Sequence, residues 1–151
     1  MTTLERWEGR TALVTGASSG IGRAIAEQLV RAGMKVVACA RRRERLDELA
    51  ESVASVASES GELLPIPVDL RQTDQIAQMF AQVRDRFGGV DVMINNAGLG
   101  KMAPLMSGDS DSWREMLEVN VLALAICSRE AIRDMRRRGD DGHVIHISSM
   151  A

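Results

Sequence analysis

The 151-residue chain contains no tyrosine, and only two of its 19 basic residues, Lys35 and Lys101, are lysines. Its two cysteines are too few for a disulfide scaffold, so a reducing cytoplasm is the expected setting. No uncharged apolar run approaches the ~18 residues that a membrane-spanning helix requires, and no membrane partner is expected. A net charge of −2 provides no general attraction for nucleic acid.

The remaining composition is that of a folded globular protein, with 45% hydrophobic and 26% charged residues. A chain of this length is most simply one domain, residues 1–151. Histidine, cysteine and carboxylate side chains do not recur at metal-ligand spacing, so no metal is expected.

Short apolar runs alternate with helical patterns along the chain, in units of roughly 25–30 residues. The runs predict five strands: Thr11–Thr15, Lys35–Ala40, Leu63–Val68, Val90–Ile94 and His143–Ser148. The helical patterns cover Gly20–Ala32, Arg42–Ser58, Thr73–Phe87 and a long helix from a cap at Ser110 or Ser112 to Arg138.

This alternation predicts an α/β fold, a Rossmann-type doubly wound parallel sheet with strand order 3-2-1-4-5. Pro65 and Pro67 place strand 3 at an edge of the sheet, where missing N–H groups are tolerated. Strand 5 closes the sequence, so the domain is expected to be truncated there, with strand 5 as an exposed apolar edge. Ligands bind such sheets at the carboxyl ends of the strands, here between strands 1 and 4.

A glycine-rich turn, Thr15–Gly22, connects strand 1 to the first helix and reads TGASSGIG. Glycines let the backbone approach a phosphate closely, and the helix start offers unpaired N–H groups. The turn therefore predicts a pyrophosphate cradle. The alternative is a turn that only packs the strand against the helix.

A second motif, Asn95-Asn96-Ala97-Gly98, follows strand 4. Together with TGASSGIG it resembles the short-chain dehydrogenase/reductase family, and the resemblance covers the whole chain. Further matches are Asp69-Leu70, Asn120 and Ser148-Ser149. Within the family, three segments resemble the group of dehydrogenase/reductase member eleven and the insect farnesol dehydrogenases: Glu5–Trp7, Leu122–Cys127 and Asp141–Ile145.

The resemblance implies a role for each matched residue. The cofactor pyrophosphate would lie on the first turn, against Gly16, Ser18, Ser19, Gly20, Ile21 and Gly22. Asp69 would bind the adenine amino group beside Leu70, and Asn95, Ala97 and Gly98 would support the adenosine ribose and the sheet. Asn120 would hold the water of a proton relay, and Ser149 would orient the substrate oxygen. Two plainer readings stay open: Asp69 as a helix cap and Asn120 as a locally satisfied amide.

The end of strand 2 bears on the choice of cofactor. An NAD site places a carboxylate there for the ribose 2′-hydroxyl, whereas this chain has Ala40-Arg41-Arg42. A guanidinium fork matches a 2′-phosphate, so Arg41 first and Arg42 next predict NADP rather than NAD. The alternative is a solvated basic helix start.

The missing tyrosine limits this interpretation, because the family's reaction requires a tyrosine and a lysine downstream of the serine. The expectation is an N-terminal portion of an NADP-dependent enzyme acting on a small carbonyl compound or alcohol, inactive alone. The apolar segment Val119–Cys127 needs cover on more than one side, and the resemblance implies a homodimer or homotetramer at full length. Two alternatives stay open: a non-catalytic dinucleotide-binding or sensor module, and a structural dimerisation fragment.

Overall fold

A computed structural model describes residues 5–139 and 141–150 of the chain. Its five strands are β1 Thr11–Thr15, β2 Lys35–Ala40, β3 Glu62–Pro67, β4 Val92–Asn95 and β5 His143–His146. They form one sheet in the order β3-β2-β1-β4-β5, and every neighbouring pair is parallel. The predicted doubly wound fold and its strand order are therefore confirmed.

The helices cover both faces of the sheet, as the alternation along β1 requires. Their bounds are α1 Gly20–Arg31, α2 Arg43–Ala54, α3 Thr73–Phe87, α4 Ser110–Leu117 and α5 Ala123–Arg137. Leu13 packs on the face covered by α3 and α5, and Val14 packs on the face covered by α1 and α2. Because successive side chains of a strand point to opposite faces, one buried strand supplies two cores.

The helix predicted as one continuous element after strand 4 is interrupted. A π-helical turn, Glu118–Leu122, separates α4 from α5. The predicted cap at Ser110 or Ser112 is wrong, because the carboxylate of Asp109 accepts a hydrogen bond from the Ser112 N–H at 2.8 Å. The serines thus lie inside the first turn, and the charged cap also suits the helix dipole.

The sheet has β3 at one edge and β5 at the other. Pro65 and Pro67 lie on β3, as predicted from their missing N–H groups. Strand β5 is shorter than predicted, ending at His146, and both Ile145 within it and Ile147 just after it are exposed. Residues 5–139 and 141–150 contain no helix that is both long and apolar enough to cross a membrane.

A buried carboxylate joins α5 to the rest of the domain. Asp134 is fully buried and accepts hydrogen bonds from Arg84 Nε at 2.7 Å and from the Val90 N–H at 3.1 Å. A carboxylate is tolerated without water only where such donors compensate it. Asp134 therefore connects α5 to α3 and to the segment before β4.

Candidate functional site

A cavity of about 290 Å³ opens at the carboxyl ends of the central strands, where the predicted fold binds its ligands. We call it the carboxyl-end cavity. Its lining residues are Gly16, Ser18, Ser19, Ala40, Arg41, Val68, Asp69, Leu70, Arg71, Asn96, Ala97, Gly98, Leu99, Glu115 and Val119.

The glycine-rich turn forms one wall of this cavity. Gly16 and Gly20 have φ angles of +66° and +57°, a region that residues with a Cβ rarely adopt. Helix α1 begins at Gly20, and no side chain of the described residues caps it. Its first N–H groups and its positive dipole end therefore suit an anionic group, and a Cβ added at Gly20 would meet nothing within 4 Å.

Gly22 has the opposite surroundings. A Cβ there would lie 2.4 Å from the Gly16 carbonyl oxygen and 2.4 Å from Nδ2 of Asn96. The turn and the first turn of α1 are thus in direct backbone contact. A side chain at position 22 would therefore clash with the protein itself, which explains why the motif has its third glycine there.

The loop after β4 is tied to the turn after β1 by short hydrogen bonds. Thr15 Oγ1 accepts from the backbone N–H groups of Asn96 and Ala97, both at 3.0 Å. The Asn96 amide donates to the carbonyl oxygens of Thr15 at 3.1 Å and Gly16 at 3.3 Å. The two motifs recognised in the sequence are therefore parts of one structure at the point where the strand order reverses.

Basic residues stand at the end of β2. Arg41 is exposed and lines the cavity. Arg42 lies beside it, and its guanidinium is 3.4 Å from the hydroxyl oxygen of Ser18 in the glycine-rich turn. Both arginines thus lie close to the predicted pyrophosphate cradle.

An ion-pair network crosses the opposite wall of the cavity. Arg71 donates to both carboxylate oxygens of Asp69, from Nε at 3.0 Å and from Nη2 at 2.7 Å. Its Nη1 donates to Glu115 at 3.0 Å, and Lys101 donates to the other oxygen of Glu115. The network joins the loop after β3, helix α4 and the loop after β4.

The network lowers the pKa of both carboxyl groups. The pKa of Asp69 lies below its ordinary value mainly because Arg71 donates hydrogen bonds to it. The pKa of Glu115 is lowered chiefly by the hydrogen bond from Lys101. Both groups are therefore ionised at neutral pH, with their counter-ions in contact.

Asn120 is satisfied locally, as one of the two readings of the sequence expected. Its Oδ1 accepts from the Leu99 N–H and its Nδ2 donates to the Leu99 carbonyl oxygen, both at 2.8 Å. Asn120 lies in the π-helical turn, where the regular hydrogen-bond ladder of the helix changes. The Asn120 amide therefore ties the π-helical turn to the loop after β4.

Seven predicted site residues are not among those that line the cavity: Gly20, Ile21, Gly22, Arg42, Asn95, Asn120 and Ser149. The Asn95 amide donates to Ser128 Oγ at 3.0 Å and lies 3.2 Å from Nδ1 of His146. Asn95 thus links β4 to α5 and to β5. Ser149 is exposed beyond β5, and Ile21 is exposed on the first turn of α1.

The structure also assembles residues that the prediction left out. Asn96 belongs to the recognised motif, and Arg71 directly follows Asp69-Leu70, so both stand beside a sequence signal. Glu115 and Lys101 have no such signal, because Glu115 is one of several charged residues in α4 and Lys101 lies in an otherwise apolar loop. Their place beside Arg71 depends on how α4 packs. Nowhere in residues 5–139 or 141–150 do three His, Cys, Asp or Glu side chains form a group that could hold a metal ion.

Relatives of known name match nearly the whole chain. Dehydrogenase/reductase SDR family member 11 of Gallus gallus is 51% identical over 148 residues, which is 97% of this chain and 58% of that protein. Farnesol dehydrogenase of Aedes aegypti is 43% identical over 97% of this chain and 60% of that protein. The predicted resemblance to this group is confirmed, and the chain spans about three fifths of the length of these two relatives.

Solved structures agree with this assignment. L-sorbose reductase from Gluconobacter frateurii, complexed with NADPH and L-sorbose, superposes with a TM-score of 0.89 at 35% identity, covering 95% of this chain and 54% of that one. A metagenomic short-chain oxidoreductase in complex with NADP gives a TM-score of 0.88 at 36% identity, over 96% of this chain and 64% of that one. A family model described as short chain dehydrogenase matches residues 10–151. On this match, and with both recognised motifs meeting at one cavity, the chain belongs to the short-chain dehydrogenase/reductase family.

Proposed function

We propose that this chain is the cofactor-binding part of an NADP-dependent oxidoreductase that acts on a carbonyl compound or a secondary alcohol. The observation that carries the proposal is Arg41, which lines the carboxyl-end cavity at the end of β2. A carboxylate at this place would repel a 2′-phosphate, whereas a guanidinium binds it by charge-assisted hydrogen bonds. The NADP complexes among the similar structures support this choice.

The residues of the cavity fit a dinucleotide. Gly20, where a Cβ would meet nothing within 4 Å, leaves the turn open to a pyrophosphate, and the N–H groups at the start of α1 would hold it. Arg41 would bind the 2′-phosphate, with Arg42 and Ser18 beside it. Asp69 would accept a hydrogen bond from the adenine amino group.

When bound, the nicotinamide ring supplies the centre that gives or accepts hydride. The protein binds and orients this group. Ser149 would hold the substrate oxygen, and the Asn120 backbone carbonyl would hold a water molecule of the proton path. Both roles rest on the family resemblance.

The cofactor proposal is tested by reversing the charge at Arg41. A charge-assisted hydrogen bond contributes about 1.5–3 kcal/mol, so Arg41→Asp should weaken NADPH binding more than about tenfold. NADH binding should stay equal or improve. Isothermal titration calorimetry with both cofactors measures this. Arg45→Asp, four positions further on in α2 and paired with Glu48 outside the cavity, is the matched control. The proposal would be overturned if the ratio of the NADPH and NADH dissociation constants were the same in Arg41→Asp as in the wild type.

Turnover is a separate question, because the sequence has no tyrosine. The expected result is that the 151-residue chain binds NADPH without oxidising it in the presence of ketones, sugars or isoprenoid aldehydes. A longer gene product with a tyrosine and a lysine past residue 151 should turn over. Binding without turnover in the complete gene product would instead favour a dinucleotide sensor.

An apolar face on α4 and the π-helical turn supports self-association. Leu117, Val121 and Leu122 are 61%, 57% and 49% exposed. The homodimer implied by the family resemblance would cover this face with a second copy. Sedimentation velocity of the wild type and of Val121→Arg tests the proposal, and a wild type that stays monomeric at high concentration would contradict it.

A further inference from the structure

Two carboxylates share the carboxyl-end cavity with Arg41. Asp69 and Glu115 both line it, and their side chains are only 23% and 19% exposed. Solvent screens such partly buried charges incompletely. Without counter-ions, the two carboxylates would attract Arg41 and repel a doubly charged phosphate group.

Both carboxylates are paired with cations, of which Arg71 also lines the cavity. Arg71 engages both oxygens of Asp69, and its remaining Nη1 reaches Glu115 at 3.0 Å. Lys101 pairs with the second oxygen of Glu115. Two cations thus neutralise two carboxylates, and the charge of Arg41 is left over.

We propose that Arg71 and Lys101 determine cofactor preference by neutralising Asp69 and Glu115, which leaves Arg41 free for the 2′-phosphate of NADP. The inference rests on the proposed NADP-dependent function and adds two residues to it. Arg71 and Lys101 are positioning residues, because they act on the phosphate through Arg41 and through the local field. Neither needs to touch the phosphate itself.

The field of Arg41 reaches both carboxylates. Its charge contributes to the lowered pKa of Asp69 and of Glu115, after the larger contributions of Arg71 and Lys101. Since such interactions are mutual, freeing either carboxylate would strengthen its hold on Arg41. The affinity for NADPH, which carries the extra phosphate, would then fall.

Comparing the binding of NADPH and NADH distinguishes an electrostatic effect on the 2′-phosphate from structural damage to the cavity. NADPH and NADH differ only in the 2′-phosphate, so damage to the cavity should weaken both. Loss of a neutralising cation should weaken NADPH selectively. The ratio of the two dissociation constants is therefore the measurement that a purely structural role would leave unchanged.

The experiment is isothermal titration calorimetry of the 151-residue chain with NADPH and NADH. In Arg71→Met the preference for NADPH should fall about tenfold, which corresponds to about 1.4 kcal/mol. In Lys101→Met it should fall about threefold, because Arg71 still neutralises Glu115 in part. Adding Glu115→Gln to Lys101→Met should restore it, since the unpaired charge is then gone. Arg43→Met, whose partner Asp47 lies outside the cavity, is the control and should keep the wild-type ratio.

The outcomes separate the two proposals. A wild type that does not prefer NADPH overturns the proposed function and this inference with it. A wild-type preference that persists in both Arg71→Met and Lys101→Met overturns the inference alone. The same holds if Glu115→Gln fails to restore Lys101→Met. If Arg71→Met does not fold, judged by circular dichroism, the Lys101 and Glu115 variants decide the question.

Discussion

The third glycine of the turn offers a sharp test of how the cofactor cradle is built. A methyl group at Gly22 would place its carbon 2.4 Å from the Gly16 carbonyl oxygen, about 1 Å inside the 3.4 Å at which ordinary contact begins. The second obstacle, Asn96, cannot swing away without losing its hydrogen bonds to the Thr15 and Gly16 carbonyl oxygens. The turn itself must therefore move in Gly22→Ala.

The expected magnitude follows from two opposing effects. Overpacking of this kind costs about 1–3 kcal/mol. Replacing glycine by alanine inside a helix returns about 1 kcal/mol. The net loss of stability is about 1 kcal/mol, or a Tm lower by ~3 °C. NADPH binding should weaken more than about tenfold, because a shift of the turn by several tenths of an ångström misaligns its N–H donors.

Differential scanning calorimetry and NADPH titration on the same preparations measure both effects. Gly9→Ala is the control, since Gly9 has a φ of +73° with no atom within 4 Å and lies at the other end of β1. It should cost about 1–2 kcal/mol of stability through backbone strain alone and leave NADPH affinity unchanged. If Gly22→Ala bound NADPH as tightly as the wild type, the proposed role of the turn would be wrong.

Three further outcomes are expected. Asp134→Ala should lower the free energy of unfolding in urea by about 3–5 kcal/mol, because buried donors lose their carboxylate; a loss under 1 kcal/mol would contradict this. Burial raises the pKa of the Cys127 thiol to about 12 and raises that of Cys39 further, so a thiol reagent at pH 8 should label neither before unfolding. Hydrogen bonding by Arg84 lowers the pKa of Glu130 in the folded protein. The ionised Glu130 therefore stabilises the fold fully above the unfolded-state pKa of about 4.3, and this contribution is lost as the pH falls through the lower folded-state pKa. Acid unfolding curves should show this loss, and Glu130→Gln should reduce it.

The architecture could be predicted from the sequence because the features that indicate it are local: apolar runs, helical periodicity, prolines and glycines. The alternation of apolar runs with helical periodicity was enough for the strand order, and Pro65 and Pro67 marked the edge strand. The glycine-rich turn could be predicted from its glycines, since residues with a Cβ rarely adopt the backbone angles of Gly16 and Gly20. Each of these features lies within one strand, helix or turn, so it can be recognised without knowing the tertiary structure.

Contacts between residues that are far apart in the sequence depend on the tertiary structure. Arg71 and Glu115 stand 44 positions apart, and nothing near either residue indicates that they form an ion pair across the cavity. The same is true of the Asn120 amide, which is occupied by the Leu99 backbone from a loop that no periodic pattern describes. Packing of α4 and the loops against the sheet sets these distances, and an electrostatic contact exists only once the distance is set.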